Sequence, residues 1–191
     1  MFDPQNLKQD FPIFRQEVNG QPLVYLDNAA TSHKPQSVID AISNYYQNHN
    51  ANIGRSVHTL SEQSTQIFNQ ARKKIANFLG AELVEFIPTA NTTSAINGVA
   101  YGWADHNLVP GDVILVSLLE HHSNLVVWQQ VCQRTGAHLE YFDLTKDGQL
   151  DLDDLGQKLK DLPVKLVALN HVSNTSGRLV PGAKFRQHVT K

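Results

Sequence analysis

The sequence predicts an α/β fold with a mainly parallel sheet, and three observations carry that expectation. Short apolar runs of four to six residues alternate with longer segments that repeat their apolar residues at helical spacing. Turn residues separate the two kinds of segment. Polar clusters follow several of the runs, where ligands bind in sheets of this type.

Taken in order, residues 1–22 carry Pro4, Pro12 and Pro22 and read as a short helix plus loops, an N-terminal segment ahead of the main domain at 23–191. Leu23-Val24-Tyr25-Leu26 reads as a short strand stopped by Asp27-Asn28. Pro35 suits a first helical turn, and Val38, Ile42, Tyr45 and Tyr46 follow at helical spacing. A long helix is expected over 60–79, where Ile67, Phe68, Ala71, Ile75, Phe78 and Leu79 make one apolar stripe and Gly80 supplies the stop. Then come strand 83–87, helix 92–104, strand 113–117, helix 124–134 and strand 138–142. Helix 151–160, strand 164–169 and a last helix at 183–190 complete the pattern. The Asp-rich start of helix 151–160 suits the positive end of a helix dipole.

Composition narrows the function. Hydrophobic residues make up 41% and charged residues 18% of the 191, the balance of a folded globular chain. Sixteen Lys and Arg against 18 Asp and Glu leave a net charge of −2, which offers no broad footprint for nucleic acid or an anionic membrane. A small-molecule ligand is the better expectation. Cys132 is the single cysteine, so no internal disulfide forms. No signal peptide is visible, and no apolar run approaches the roughly 20 residues that span a bilayer. The expected location is the cytoplasm.

Four clusters could carry chemistry. Thr89-Ala90-Asn91-Thr92-Thr93-Ser94 sits between a strand and a helix, where hydroxyls and free N–H groups make either an anion site or an ordinary helix cap. It lacks the glycines and lysine of a P-loop. Glu120-His121-His122-Ser123-Asn124 offers a histidine that can stack on a planar ring, carry protons or cap the next helix. Adjacent histidines diverge, and nothing beside them has zinc-ligand spacing, so no metal site is expected. Asn170-His171-Val172-Ser173-Asn174-Thr175-Ser176-Gly177 is a polar loop at a strand end. Arg55 to Ser61 reads either as an anion contact or as helix-entry chemistry. Cys132 shares one helical face with Leu125 and Trp128 and reads as a small buried hydrophobe, not a nucleophile.

Together these stretches resemble a known family. Leu26-Asp27-Asn28-Ala29-Ala30-Thr31, then Arg55 with His58-Thr59-Leu60-Ser61, look like the opening of class V aminotransferase-fold proteins. Thr92-Thr93 with Ala95-Ile96-Asn97 is similar to the family's phosphate-binding turn. Glu120-His121-His122-Ser123-Asn124 with Trp128 resembles the signature of SufS-like cysteine desulfurases, and His171-Val172-Ser173-Asn174 with Gly177 the next motif. Asp10-Phe11-Pro12 and Val18-Asn19-Gly20 fit the same group. The matches run in order from about residue 8 to residue 181.

The resemblance implies a fold-type-I large domain like that of aspartate aminotransferase, with pyridoxal 5′-phosphate (PLP) as cofactor and L-cysteine as substrate. It implies that Thr92 and Thr93 hold the phosphate. His121 would stack on the pyridine ring and act as the catalytic residue that helps move protons. Asn174 would contact the cofactor or the substrate carboxylate, with His58 and Ala29 on the substrate side. It also implies a homodimer that converts cysteine to alanine and passes sulfur to an acceptor protein for iron–sulfur cluster assembly. Selenocysteine lyases and other class V aminotransferases share much of the pattern, and a split-enzyme binding module is a further reading.

Two departures from the family pattern are local: Ser94 stands where an acid is usual, and Ala90 where a basic residue often occurs. A third concerns length. The 17 residues after Asn174 contain no Asp or Cys and only Lys184 and Lys191, neither in a His-Lys context. The resemblance therefore implies an N-terminal portion, without the cofactor-binding lysine, the acid facing the pyridine nitrogen, the sulfur-accepting cysteine or the small C-terminal domain. Such a polypeptide is expected to be inactive alone and to leave a sheet edge and an apolar face uncovered.

Overall fold

The computed structural model describes residues 3–54 and 57–180. The helix expected at 183–190, with Lys184 and Lys191, and Arg55 of the fourth cluster lie outside the described residues. The chain divides into two compact units, Met1–Pro88 and Thr89–Lys191, each described by itself.

The first unit is built from local rules. Helix α1 (Pro4–Lys8) starts at Pro4, and the Asp3 carboxylate caps it by accepting from the Gln5 N–H at 3.0 Å. After a 3-10 turn at Pro12–Arg15, β1 (Glu17–Val18) pairs antiparallel with β2 (Gln21–Pro22). Asn19 and Gly20 join them at φ 54° and 72°. Both positive angles are what a two-residue I′ hairpin turn demands, and Asn-Gly is its preferred pair. Helix α2 spans Gln36–Asn48 and α3 spans Thr59–Leu79. α3 stops where expected: Gly80 turns left-handed at φ 68°, and the Ala81 N–H reaches back to the Ala76 carbonyl.

Two expected strands do not form in this unit. Residues 23–26 stay outside any ladder; the Leu23 N–H donates to the Gln16 carbonyl, while Tyr25 packs against the His33 ring. Residues 83–87 make a turn and an irregular run instead. The Glu82 N–H donates to the Glu85 carboxylate at 2.7 Å, and the Arg72 guanidinium donates to the carbonyls of Leu83 and Phe86. Carbonyls taken by a guanidinium are diverted from a ladder, so apolar composition alone does not make a strand here.

The second unit is a doubly covered parallel sheet with strand order β4-β3-β5. β3 is Val113–Ser117, β4 is His138–Phe142 and β5 is Val164–Ala168. Helix α6 (Val126–Thr135) connects β3 to β4, and α7 (Leu152–Asp161) connects β4 to β5. These are the crossovers that parallel strands require. All five residues of β3 are buried. Because successive side chains alternate, Ile114 and Val116 join one cluster with Ala100, Ala104, Val127, Trp128 and Val131. Leu115 points the other way, to Phe142 and Leu155. Burial on both faces explains why β3 reads as a continuous apolar run.

The expected helix 92–104 is a composite. Helix α4 (Thr92–Val99) passes into a π turn at Ala100–Ala104 and one further α turn, α5 (Asp105–Asn107). Ala100 and Ala104 are fully buried, so this stretch lays small residues against the core. The Arg134 guanidinium grips the Asp105 carboxylate through two nitrogens and lies over the Tyr101 ring, tying α6 to this segment. Asp151 caps α7, its carboxylate accepting from the N–H groups of Asp153 and Asp154.

Candidate active site

Ligands of parallel α/β sheets bind beyond the carboxyl ends of the strands. Two loops of interest leave those ends in the second unit, after β3 and after β5. They are joined by one carboxylate. Glu120 Oε1 accepts from the Ser117 hydroxyl at 2.6 Å and from the Asn170 N–H at 3.1 Å, and its Oε2 accepts from Asn124 Nδ2 at 2.7 Å. Asn170 returns the tie by donating Nδ2 to the Leu119 carbonyl at 2.7 Å. Trp128, buried in α6, donates its indole N–H to Asn124 Oδ1 at 2.9 Å.

His121 is the exposed residue next to this clasp. Its Nδ1 accepts from the Ser123 N–H at 3.1 Å and lies 2.9 Å from the Ser123 hydroxyl, where it caps the 3-10 turn His122–Asn124. A backbone N–H can only donate, so Nδ1 must hold a lone pair; the ring proton of the neutral side chain then sits on Nε2. Helix α4 packs against the same 3-10 turn.

Thr92 and Thr93 open α4. The Asn91 side chain caps the helix by accepting from the Ser94 N–H at 2.9 Å, and the Ala95 N–H goes to the Asn91 carbonyl. The remaining first-turn N–H groups belong to Thr92 and Thr93, both exposed and each with a hydroxyl. Asn91 is thus the cap of this cluster, and the Thr92 and Thr93 N–H groups lie in the exposed first turn of the helix. Asn174 lies on an exposed turn after β5, beyond buried Ser173, whose hydroxyl accepts from the N–H groups of Thr175 and Ser176. Gly177, at φ 67°, and a bridge between Val172 and Leu179 close that turn.

The residues singled out in the first unit have local roles. Ala29 lies in a turn whose Ala30 and Thr31 N–H groups both bond the Asp27 carbonyl. His58 is the N-cap of α3, its Nδ1 accepting from the Leu60 N–H at 3.2 Å.

Cys132 is half-buried against the cluster around Ile114, and burial pushes its thiol pKa up, the opposite of nucleophile activation. A cavity of about 550 Å³ lies beside the loops, lined by Leu119, Leu150, Leu152 and residues 176–180. None of Thr92, Thr93, His121 or Asn174 lines it, and the Arg178 guanidinium there already donates to the Asp147 carbonyl. Among the described residues, no group of three or more His, Cys, Asp or Glu could hold a metal ion, and no helix is long and apolar enough to cross a membrane.

Sequence reasoning assigned no role to Glu120, Asn124 or Asn170. The signal was present for two of them: Glu120, Asn124 and Trp128 recur every four residues, the spacing that stacks side chains along a helical path. The donor set fits a phosphorylated pyridine: paired threonines at a helix start for the phosphate, and an exposed imidazole, His121, on the β3 loop.

The family profile "Aminotransferase class-V" matches residues 24–191. A probable cysteine desulfurase of Xylella fastidiosa (strain 9a5c) is 46% identical over 179 residues, covering 94% of this chain and 43% of the relative. One from Synechocystis sp. is 46% identical over 182 residues, covering 95% and 43%. The apo structure of cysteine desulfurase from Thermococcus onnurineus NA1 superposes with a TM-score of 0.90 at 35% identity, covering all of this chain and 45% of that one. A cysteine desulfurase of Escherichia coli superposes with a TM-score of 0.80 at 33% identity, over 100% and 47%. The chain thus spans less than half the length of these relatives, and its parallel sheet is that of their PLP-binding fold. The chain belongs to the class V aminotransferase family.

Proposed function

We propose that residues 23–191 form part of the large domain of a PLP-dependent cysteine desulfurase, following the N-terminal segment 1–22. The observation that carries this reading is the clasped strand-end loops, with helix α4, which Thr92 and Thr93 open, packed against the 3-10 turn of the β3 loop. Thr92 and Thr93 would hold the phosphate through N–H and hydroxyl groups. His121 would lie on the ring and offer the Nε2 proton. Asn174 would contact a cofactor oxygen or the substrate carboxylate, with His58 and Ala29 on the substrate side. The cofactor supplies an electron sink that stabilises negative charge at the substrate Cα. The protein's share is to bind, orient and keep the ring dry. L-cysteine as substrate, a sulfur-acceptor protein for iron–sulfur cluster assembly, a cytoplasmic setting and a homodimer belong to the same proposal, supported by the relatives' identity over 94% of this chain.

The test uses pyridoxamine 5′-phosphate, whose amine forms no imine with surface lysines, titrated against the 191-residue chain by quenching of tryptophan emission. Unphosphorylated pyridoxamine should bind far more weakly. The Thr92→Ala/Thr93→Ala variant should lose at least about tenfold in affinity, since a hydrogen bond to a charged group contributes about 1.5–3 kcal/mol. Equal affinity for both probes, in both proteins, would end the reading.

A further inference from the structure

We propose that Glu120 is a positioning residue: its carboxylate clasps the β3 loop to the entry of α6 and to the β5 loop, and so sets where His121 stands. The inference rests on the proposed role of His121, which it deepens. Three donors converge on the two oxygens of Glu120: the Ser117 hydroxyl, the Asn170 N–H and Asn124 Nδ2. They come from the end of β3, the end of β5 and the entry to α6, so a single side chain holds three separate elements. His121 is the next residue in the chain, and its ring is held by Ser123 within the same loop.

The pattern requires an acceptor at both side-chain oxygens of residue 120. A glutamine at position 120 that keeps its Oε1 on Ser117 and Asn170 turns its Nε2 onto Asn124 Nδ2, donor against donor. If the Asn124 amide flips to accept, its Nδ2 then meets the Trp128 indole N–H, which is donor-only and now accepted by Asn124 Oδ1. Either way, one buried or half-buried donor loses its partner. An aspartate at position 124 repairs the fault. It accepts both from the introduced glutamine amide and from Trp128, and the charge moves four residues along the chain with every bond kept.

The experiment compares the wild-type chain, Glu120→Gln and Glu120→Gln/Asn124→Asp. Three signals are read: amide hydrogen exchange at residues 119–123 and 169–171, the Trp128 indole N–H resonance, and pyridoxamine 5′-phosphate affinity. Glu120→Gln should speed exchange in both loops at least about tenfold, shift the indole resonance and weaken the probe about tenfold, with far-UV circular dichroism unchanged. The double variant should return all three to within about threefold of wild type. Unchanged exchange in Glu120→Gln overturns the clasp. A double variant that recovers the indole resonance and slow exchange but not affinity overturns the positioning role. If wild type fails to bind the probe, the reading of His121 fails by itself. The clasp is then decided by exchange alone: fast only in Glu120→Gln supports it, and equal in all three proteins refutes it.

Discussion

The two units solve the same problem, hiding apolar side chains, with different success. In the second unit every residue of β3 is buried, and Phe142 and Leu155 are fully covered on the sheet's other face. In the first unit, Ala76 is the only buried apolar residue among those described. The expected stripe on α3 is intact as a pattern, yet Ile75, Phe78 and Leu79 are exposed, Phe78 at 89%. On α2, Ile42 and Tyr46 are exposed as well. The first unit is held largely by local devices: the hairpin turn, the His58 cap, Gly80, and Arg72 on the 83–86 turn. The comparison teaches that amphipathic periodicity specifies a helix and its face, whereas burial needs a second surface at the right distance.

The sharpest way to break the comparison is to truncate one phenylalanine in each unit. Phe142→Ala should destabilise by about 3–5 kcal/mol, because it empties a closed site. Phe78→Ala should change stability by less than about 0.5 kcal/mol. Urea unfolding measures both, and equal losses would mean that Phe78 is covered in solution. A second pair tests the helix stops. Gly80 and Gly136 both sit left-handed, at φ 68° and 76°. A Cβ on Gly80 meets nothing within 4 Å, but one on Gly136 would come 3.0 Å from Pro110 Cγ. Gly80→Ala should cost about 1–2 kcal/mol, the strain of the backbone alone. Gly136→Ala should cost measurably more, and identical melting shifts would refute the difference.

The smallest effect concerns acid. Both salt bridges among the described residues lie in the second unit. Burial pushes the Asp154 carboxyl pKa up, but hydrogen bonds from Lys158 and from the Asp143 N–H, with the Lys158 charge, outweigh it and hold the pKa below its ordinary 3.8. A folded pKa below the unfolded one means the carboxylate favours folding above pH 3.8. That contribution is lost as pH falls from there through the lowered value. Both side chains are about a quarter exposed, so the effect should stay within about 1 kcal/mol. Asp154→Asn should flatten the pH dependence of melting below pH 4, and an unchanged slope would remove Asp154 from the acid response.

Legibility followed the same division. The expected bounds 113–117 and 138–142 coincide with β3 and β4, and the helices at 124–134 and 151–160 are off by no more than two residues at either end. These segments carry strong periodicity and clear stops. The expected strands at 23–26 and 83–87 failed because a strand is defined by its neighbour, and here the neighbouring donors and acceptors lie in turns and on Arg72. The hairpin at Glu17–Pro22 was missed although Asn19-Gly20 is a strong local turn signal; its strands are too short to show alternation. Among the proposed site residues, Thr92, Thr93, His121 and Asn174 could be singled out by residue type and family pattern. The spacing of Glu120 and Asn124 was visible, but the tie from Glu120 to Asn170 was not, because Asn170 lies 50 residues away and nothing local announces that contact.

By itself, the sequence determined helix starts and stops, the alternation that puts Leu115 opposite Ile114 and Val116, and the motifs that place the chain among class V aminotransferases. These depend on residues a few positions apart, whose geometry the backbone alone dictates. Only the tertiary structure decided which apolar runs became strands, which apolar stripes were covered, and that one carboxylate gathers the ends of β3 and β5. Each of those depends on partners distant along the chain, and a buried donor or acceptor is satisfied only by the group that folding brings beside it.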